Sequence, residues 1–102
     1  MHIEINTDNH VHFDESVIRH VHQALESNLS RFGPQVRRVE VHLHDTNADK
    51  AGGRDKHCLL EAKLEGRPPM TASNDAATLA VAINGAAKKL QRVLDSHLAR
   101  LH

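Results

Sequence analysis

Histidine is the residue type in this 102-residue chain that is best suited to bind a metal ion, and the chain contains ten histidines. The pattern His-x-His occurs three times, at residues 10–12, 20–22 and 42–44. A metal site needs several ligands that converge on one point. Residues two apart face in opposite directions on a helix but in the same direction on a strand. A metal site, if present, would therefore use His42 and His44 on a strand, with His57 as the third ligand.

No supporting ligand pattern accompanies these histidines, because the sequence has neither a cysteine pair nor an HExxH motif. We therefore interpret them as part of a solvated polar face and predict no metal and no cofactor. Histidine still changes the charge of the chain. At an unperturbed pKa of about 6.5, ten histidines add roughly two charges at pH 7 and roughly seven or eight at pH 6.

The sequence offers little for catalysis. Cys58 is the lone cysteine and alternates with apolar residues, which indicates a buried structural thiol. Gly52 and Gly53 lie in a polar stretch and do not open a helix, so no phosphate-binding loop is predicted. The carboxylates are scattered. We predict no catalytic residues, no small-molecule substrate and no enzyme activity.

Basic side chains are balanced by acidic ones, thirteen against thirteen, yet they are unevenly placed. Lys88, Lys89 and Arg92 fall on the polar side of the last amphipathic segment. Proteins that bind nucleic acid rely on such cations to neutralise phosphates. The basic residues that could assist this trio are Arg37, Arg38, Lys50, Arg54 and Lys56. The alternative interpretation is the solvated face of an ordinary amphipathic helix.

Hydrophobic periodicity predicts the elements that position these residues. Alternation predicts strands over 2–6, 35–45 and 56–66 and a short edge strand over 70–73, and helical spacing predicts helices over 13–33 and 75–101. The class is α+β, a single domain over residues 1–102 with the order β-α-β-β-β-α. The first two strands should pair in parallel through a right-handed crossover. We expect a four-stranded mixed sheet with both helices packed on one face and the other face polar.

The pattern also predicts a helix start and a core. Asp14 is a suitable N-cap, and Phe13 is placed to pack on Ile18 as a hydrophobic staple. Phe13 and Phe32 are the only aromatic residues of the Phe, Tyr and Trp type. Because both are predicted in the core, recognition of single strands by base stacking is disfavoured. The predicted buried set is Val17, Val21, Leu25, Phe32, Val41, Leu43, Leu60, Ile83 and Leu90.

Composition bounds the class of protein. Apolar residues make up 39% and charged residues 25%, as in soluble globular domains. No apolar run reaches the roughly 20 residues that span a bilayer. The opening "MHIEINTD" lacks the features of a secretory signal. We expect a cytoplasmic protein with no membrane contact.

Longer motifs carry a family resemblance. "LAVAIN" at 79–84 and "KLQRVL" at 89–94 follow two strands, as do the Leu-Tyr-Ala-Ala-Ile-Asp and Lys-Leu-x-Arg-x-Leu segments of one bacterial family. The stretches 3–33 and 36–45 fit the opening strand, helix and second strand of that family. The chain thus resembles the short form of the ribosome hibernation-promoting factor and ribosome-associated inhibitor family, also called sigma-54 modulation proteins.

The resemblance implies a function. Members of this family occupy the decoding channel of the small (30S) ribosomal subunit under stress and block mRNA and tRNA. They use basic side chains on the helices, and Lys89 and Arg92 stand at matching positions. The implied partners are the 30S subunit and its 16S rRNA.

Two alternatives stay open at this point. Family members are usually strongly basic, whereas this chain is neutral. That balance favours a stress-related protein-interaction adaptor of the same fold, which would use the exposed sheet around Leu59. The third hypothesis is a metal-binding protein that uses His42, His44 and His57.

Overall fold

The predicted element order is confirmed in a computed structural model, which describes residues 1–9, 11, 13–45 and 55–98. The strands are β1 (His2–Thr7), β2 (Val36–Asp45), β3 (Lys56–Leu64) and β4 (Arg67–Ala76), and the helices are α1 (Glu15–Leu29) and α2 (Leu79–Leu98). A 3-10 segment, Ser30–Gln35, joins α1 to β2. Within these ranges, no helix combines the length and apolar character that crossing a bilayer requires.

The four strands form one mixed sheet in the order β1-β2-β3-β4. β1 and β2 pair in parallel, with Ile3 beside Val39, and the other neighbours are antiparallel, with Leu43 beside Cys58. Side chains alternate along each strand, so one face of the sheet is apolar and the other polar. Both helices cover the apolar face, as predicted.

The two helices run in the same direction across the sheet. Val17 and Leu79, near the starts of α1 and α2, line one groove. Arg31, just after α1, forms an ion pair with Asp95 near the end of α2. The two helices therefore lie side by side, in contact near both of their ends.

The core lies between the helices and the sheet. The predicted buried residues are buried except Val17, which is partly buried and packs against the core. Cys58 is fully buried, and this burial raises the pKa of its thiol to about 12. Because the thiolate is the reactive form, Cys58 is an inert core residue.

The last strand differs from the prediction. β4 spans Arg67–Ala76 and includes Pro68 and Pro69, whereas the pattern predicted a strand only over 70–73. β4 is an edge strand, where proline is tolerated because one row of backbone donors has no partner strand. The turn is confined to residues 65 and 66, and Gly66 adopts a φ of 69° there. Accordingly α2 begins at Leu79 and not at 75.

The start of α1 confirms one local prediction and corrects another. The Asp14 carboxylate accepts hydrogen bonds from the backbone N–H groups of Ser16 and Val17, at 3.0 and 3.2 Å. Phe13, however, is 44% exposed and Ile18 37% exposed. The prediction of a buried Phe13 is therefore wrong. Its side chain lies beyond the edge of the core that buries Phe32.

Candidate nucleic-acid interface

The outer surface of α2 carries the three basic residues singled out from the sequence. Lys88, Lys89 and Arg92 are all exposed. The opposite side of the helix is buried and consists of Ala82, Ile83, Ala86, Ala87, Leu90, Leu94 and Leu98. Residues three and four apart on a helix are neighbours, so Arg92 lies between the other two. The three cations form one patch, which we call the α2 patch.

Lys89 is held in place by β4. Its Nζ donates hydrogen bonds to the backbone O of Ser73 at 3.2 Å and to Oδ1 of Asn74 at 3.0 Å. Asn74 in turn donates from Nδ2 to the backbone O of Val81 at 3.3 Å. These contacts fix the Lys89 ammonium on the β4 side of the helix, while leaving its charge uncompensated by any carboxylate of the described residues.

Gly85 makes this arrangement possible. A Cβ at residue 85 would lie 2.6 Å from Cγ of Asn74, which is closer than carbon atoms pack. The Asn74 side chain therefore occupies the space that a side chain at 85 would fill. The sequence does not reveal this pair, because Gly85 is an isolated glycine within a helical pattern and nothing in the pattern places Asn74 against it.

Lys88 lies on the other side of the patch, toward α1. It lines a polar groove between the helices together with His20, Gln23, Ala24, Ser27, Asn28 and Asn84. Nε2 of His20 lies 3.3 Å from the backbone O of Ala80. The groove presents amide and hydroxyl groups beside a cation, a combination that suits contact with phosphate and sugar groups.

The other predicted basic residues are engaged in ion pairs. Arg37 lies 3.2 Å from Glu65, and Arg38 pairs with Glu4 across β1 and β2. Lys56 Nζ lies 3.1 Å from Asp45 and 3.0 Å from Asp55. The last predicted pair, Lys50 and Arg54, lies outside the described residues.

The Lys56 cluster also shifts the acidity of its members. A hydrogen bond from Lys56 lowers the pKa of the Asp55 carboxyl. The hydrogen bonds to Asp55 and then Asp45 raise the pKa of the Lys56 ammonium. Lys56 is thus the counterion of two carboxylates at one end of the sheet, and these carboxylates neutralise its charge.

The basic residues therefore differ in whether a carboxylate neutralises them, and the difference follows their position on the fold. Of the basic residues in the described part of the chain, those without an ion-pair partner are Arg19, Arg67, Lys88, Lys89 and Arg92. The polar face of the sheet, by contrast, pairs Lys63 with Glu40 and Glu61, at 3.8 and 3.3 Å. Three of these five described cations lie on α2, whereas Arg19 lies on α1 and Arg67 on β4.

The predicted three-histidine cluster is only partly present. His44 and His57 are register partners on β2 and β3, with ring centres 6.1 Å apart. His42 belongs to a different group, since its ligand atoms lie within 4.8 Å of those of Glu40 and Glu61. Strand register explains the split, because the residue opposite His42 is Leu59.

Comparison with known proteins gives a consistent picture. The family model described as sigma 54 modulation protein / S30EA ribosomal protein matches residues 3–102. A ribosomal subunit interface protein from Coxiella burnetii has a similar structure, with a TM-score of 0.78 at 15% identity, covering 97% of this chain and 99% of that one. The N-terminal domain of Thermus thermophilus Protein Y has a TM-score of 0.74 at 17% identity, covering 94% and 98%. Among curated proteins, none matches this chain.

Proposed function

The chain belongs to the sigma 54 modulation protein / S30EA ribosomal protein family, and we propose that it is a hibernation factor that binds the small ribosomal subunit under stress. In this proposal it occupies the decoding channel, contacts 16S rRNA and inhibits translation. A cytoplasmic location follows from that partner. No chemical step is involved, and inhibition results from occupancy of the channel.

The α2 patch is the observation that carries the proposal. Phosphate contacts supply most of the affinity of proteins for nucleic acids, and each requires a cation that is free to approach the backbone. Lys88 and Arg92 are exposed and have no carboxylate partner within the described ranges. Their spacing on a rigid helix fits contact with a folded RNA of fixed shape.

The remaining basic residues take a smaller share. Arg37, Arg38 and Lys56 would have to break ion pairs before they contacted phosphate, which offsets part of the gain from the new contact. Lys89 keeps its charge but is tethered to β4. We therefore rank Lys88 and Arg92 first, Lys89 second, and the paired cations last.

Co-sedimentation with purified 30S subunits tests the proposal. The variant Lys88→Ala/Arg92→Ala should lose most of its binding, and adding Lys89→Ala should weaken it further. The matched control is Arg38→Ala/Lys63→Ala, which removes the same two residue types and the same formal charge from the polar face of the sheet. Addition of the wild-type chain to a cell-free translation reaction should reduce protein synthesis. Equal loss of binding in both double variants would contradict the assignment to α2.

A protein-interaction adaptor is the second candidate, and exposed apolar residues favour it. Phe13, Ile18 and Val81 are 44%, 37% and 57% exposed and lie at the starts of the two helices. Contact with a partner protein would cover such residues. If the wild-type chain failed to sediment with 30S subunits but sedimented with a protein complex, and if Val81→Ser abolished that association, the adaptor function would replace ribosome binding.

A further inference from the structure

Two histidines face each other on the polar face of the sheet. His44 on β2 and His57 on β3 are direct register partners, and their ring planes are inclined by 31°. Their side chains are 48% and 30% exposed. Both rings can therefore be reached from solvent, on the side of the sheet away from the helices.

Each ring is held from behind by a carboxylate. Nδ1 of His44 lies 3.3 Å from Oδ2 of Asp8, and Nδ1 of His57 is hydrogen-bonded to Oδ1 of Asp75. An ionised carboxylate can only accept hydrogen bonds, so each Nδ1 is the donor. In a neutral ring with its proton on Nδ1, Nε2 carries a lone pair. Carboxylates placed in this way orient metal-ligating histidines and raise their basicity.

Asp8 is itself fixed by the backbone. It accepts hydrogen bonds from the N–H groups of Val11 at 3.1 Å and Asp45 at 3.2 Å. The His44 ring is therefore oriented by a carboxylate that cannot turn away without losing these bonds. This support distinguishes His44 from a histidine that merely lies on the surface.

We propose that His44 and His57 form a two-ligand site for a divalent transition metal ion of the zinc class. Each would bind through Nε2, and water would complete the coordination. Imidazole suits zinc, copper and nickel, whereas magnesium and calcium prefer oxygen ligands. The proposal concerns the polar face of the sheet and does not depend on ribosome binding.

The ring separation is compatible with one shared ion. With metal–nitrogen bonds of about 2.0–2.1 Å, an ion lies about 3.2 Å from each ring centre, so two rings can be at most about 6.4 Å apart. A tetrahedral angle at the ion corresponds to about 5.2 Å between ring centres. The observed 6.1 Å thus requires the two exposed rings to close by roughly 1 Å on binding.

The neighbouring group of Glu40, His42 and Glu61 is a weaker alternative, although its ligand atoms lie within 4.8 Å of one another. Lys63 Nζ already lies 3.3 Å from Glu61 and 3.8 Å from Glu40. Nε of Arg38 lies 3.7 Å from Glu40. These cations neutralise the carboxylates and would repel an arriving metal ion. His42 is therefore a matched control on the same face.

Zinc titration of the full chain by calorimetry tests the site. The variants are His44→Gln and His57→Gln, with His42→Gln as the control, because glutamine retains a side-chain donor for the carboxylate. Other histidines of the chain can also bind zinc, so the measured quantity is the difference from wild type. Wild type should bind one more equivalent than either His44→Gln or His57→Gln, and His42→Gln should match wild type. Loss of no equivalent in the first two variants, or the same loss in His42→Gln, would overturn the proposal.

A second variant tests the carboxylate behind the ring. Asp75→Asn should leave the far-UV circular dichroism unchanged and weaken zinc binding about ten- to a hundredfold. In nitrogen-detected NMR of the wild type, the Nε2 signals of His44 and His57 should shift on addition of zinc, and those of His42 should not. Unchanged affinity in Asp75→Asn, or an Nε2 shift at His42 alone, would contradict the assignment.

Discussion

The contact between Gly85 and Asn74 gives a sharp prediction about α2. In an exposed helix interior, replacement of glycine by alanine normally stabilises a protein by about 1 kcal/mol. Here the new Cβ would lie 2.6 Å from Cγ of Asn74. The asparagine must therefore move, and we expect Gly85→Ala to destabilise the protein.

The magnitude follows from the bonds that Asn74 makes. If the side chain moves away, it loses its bond to Val81 O and the bond from Lys89, about 1 kcal/mol each. If it stays, the overpacking costs about 1–3 kcal/mol. After subtraction of the gain in helix propensity, the net destabilisation is about 1 kcal/mol. In an Asn74→Ala background the clash is absent, and the same substitution should stabilise by about 1 kcal/mol.

Urea unfolding of the four proteins in this cycle measures both effects. The expected coupling between the two positions is about 2 kcal/mol, well above the roughly 0.3–0.5 kcal/mol seen for independent sites. Stabilisation by Gly85→Ala in the wild-type background, or a coupling near zero, would refute the packing described for Asn74. Gly85→Ala should also weaken 30S binding modestly, because Lys89 loses one of its anchors.

Three further predictions concern the core, acid stability and pH. Leu60→Ala should cost about 2–5 kcal/mol in urea unfolding because Leu60 is fully buried, and Leu59→Ala on the polar face should cost clearly less. The pKa of Asp55 is lowered from 3.8, so its contribution to stability is present above that value and is lost as pH falls through the lower folded value. Lys56→Met should therefore flatten the acid side of the stability profile between pH 5 and pH 2, and an unchanged profile would count against the ion pair. Histidine protonation adds positive charge, so 30S binding at constant ionic strength should be stronger at pH 6 than at pH 7.5. Equal binding at the two pH values would show that histidine protonation does not contribute to binding.

The sheet was largely predictable from the sequence because its periodicity is strict. In β2, Val39, Val41 and Leu43 alternate with polar residues, and the period of two assigns them to the buried face. The prolines of β4 hid its length. Whether a strand that contains prolines pairs with its neighbour depends on its register with β3, and that register is set by contacts between residues far apart in the sequence. The exposure of Phe13 was hidden for a similar reason, since a local staple pattern does not reveal where the core ends.

The sequence could predict which basic residues belong to the candidate site but not which of them are neutralised by carboxylates. Their spacing placed Lys88, Lys89 and Arg92 on the polar side of a helix, and the structure agrees. The sequence could not show that Arg38 lies beside Glu4, because they are 34 positions apart and only the parallel β1–β2 pairing brings them together. Ion pairing, and hence the ranking of the cations, depends on tertiary register.

The salt dependence of 30S binding tests the central claim most directly. Each phosphate contact contributes about one unit to the slope of log affinity against log salt concentration. Lys88→Ala/Arg92→Ala should therefore lower the slope by about two units relative to wild type. Arg38→Ala/Lys63→Ala should lower the slope far less, because those cations are already paired with carboxylates. An unchanged slope in the α2 variant, or an equal decrease in both, would contradict the claim that α2 carries the phosphate contacts.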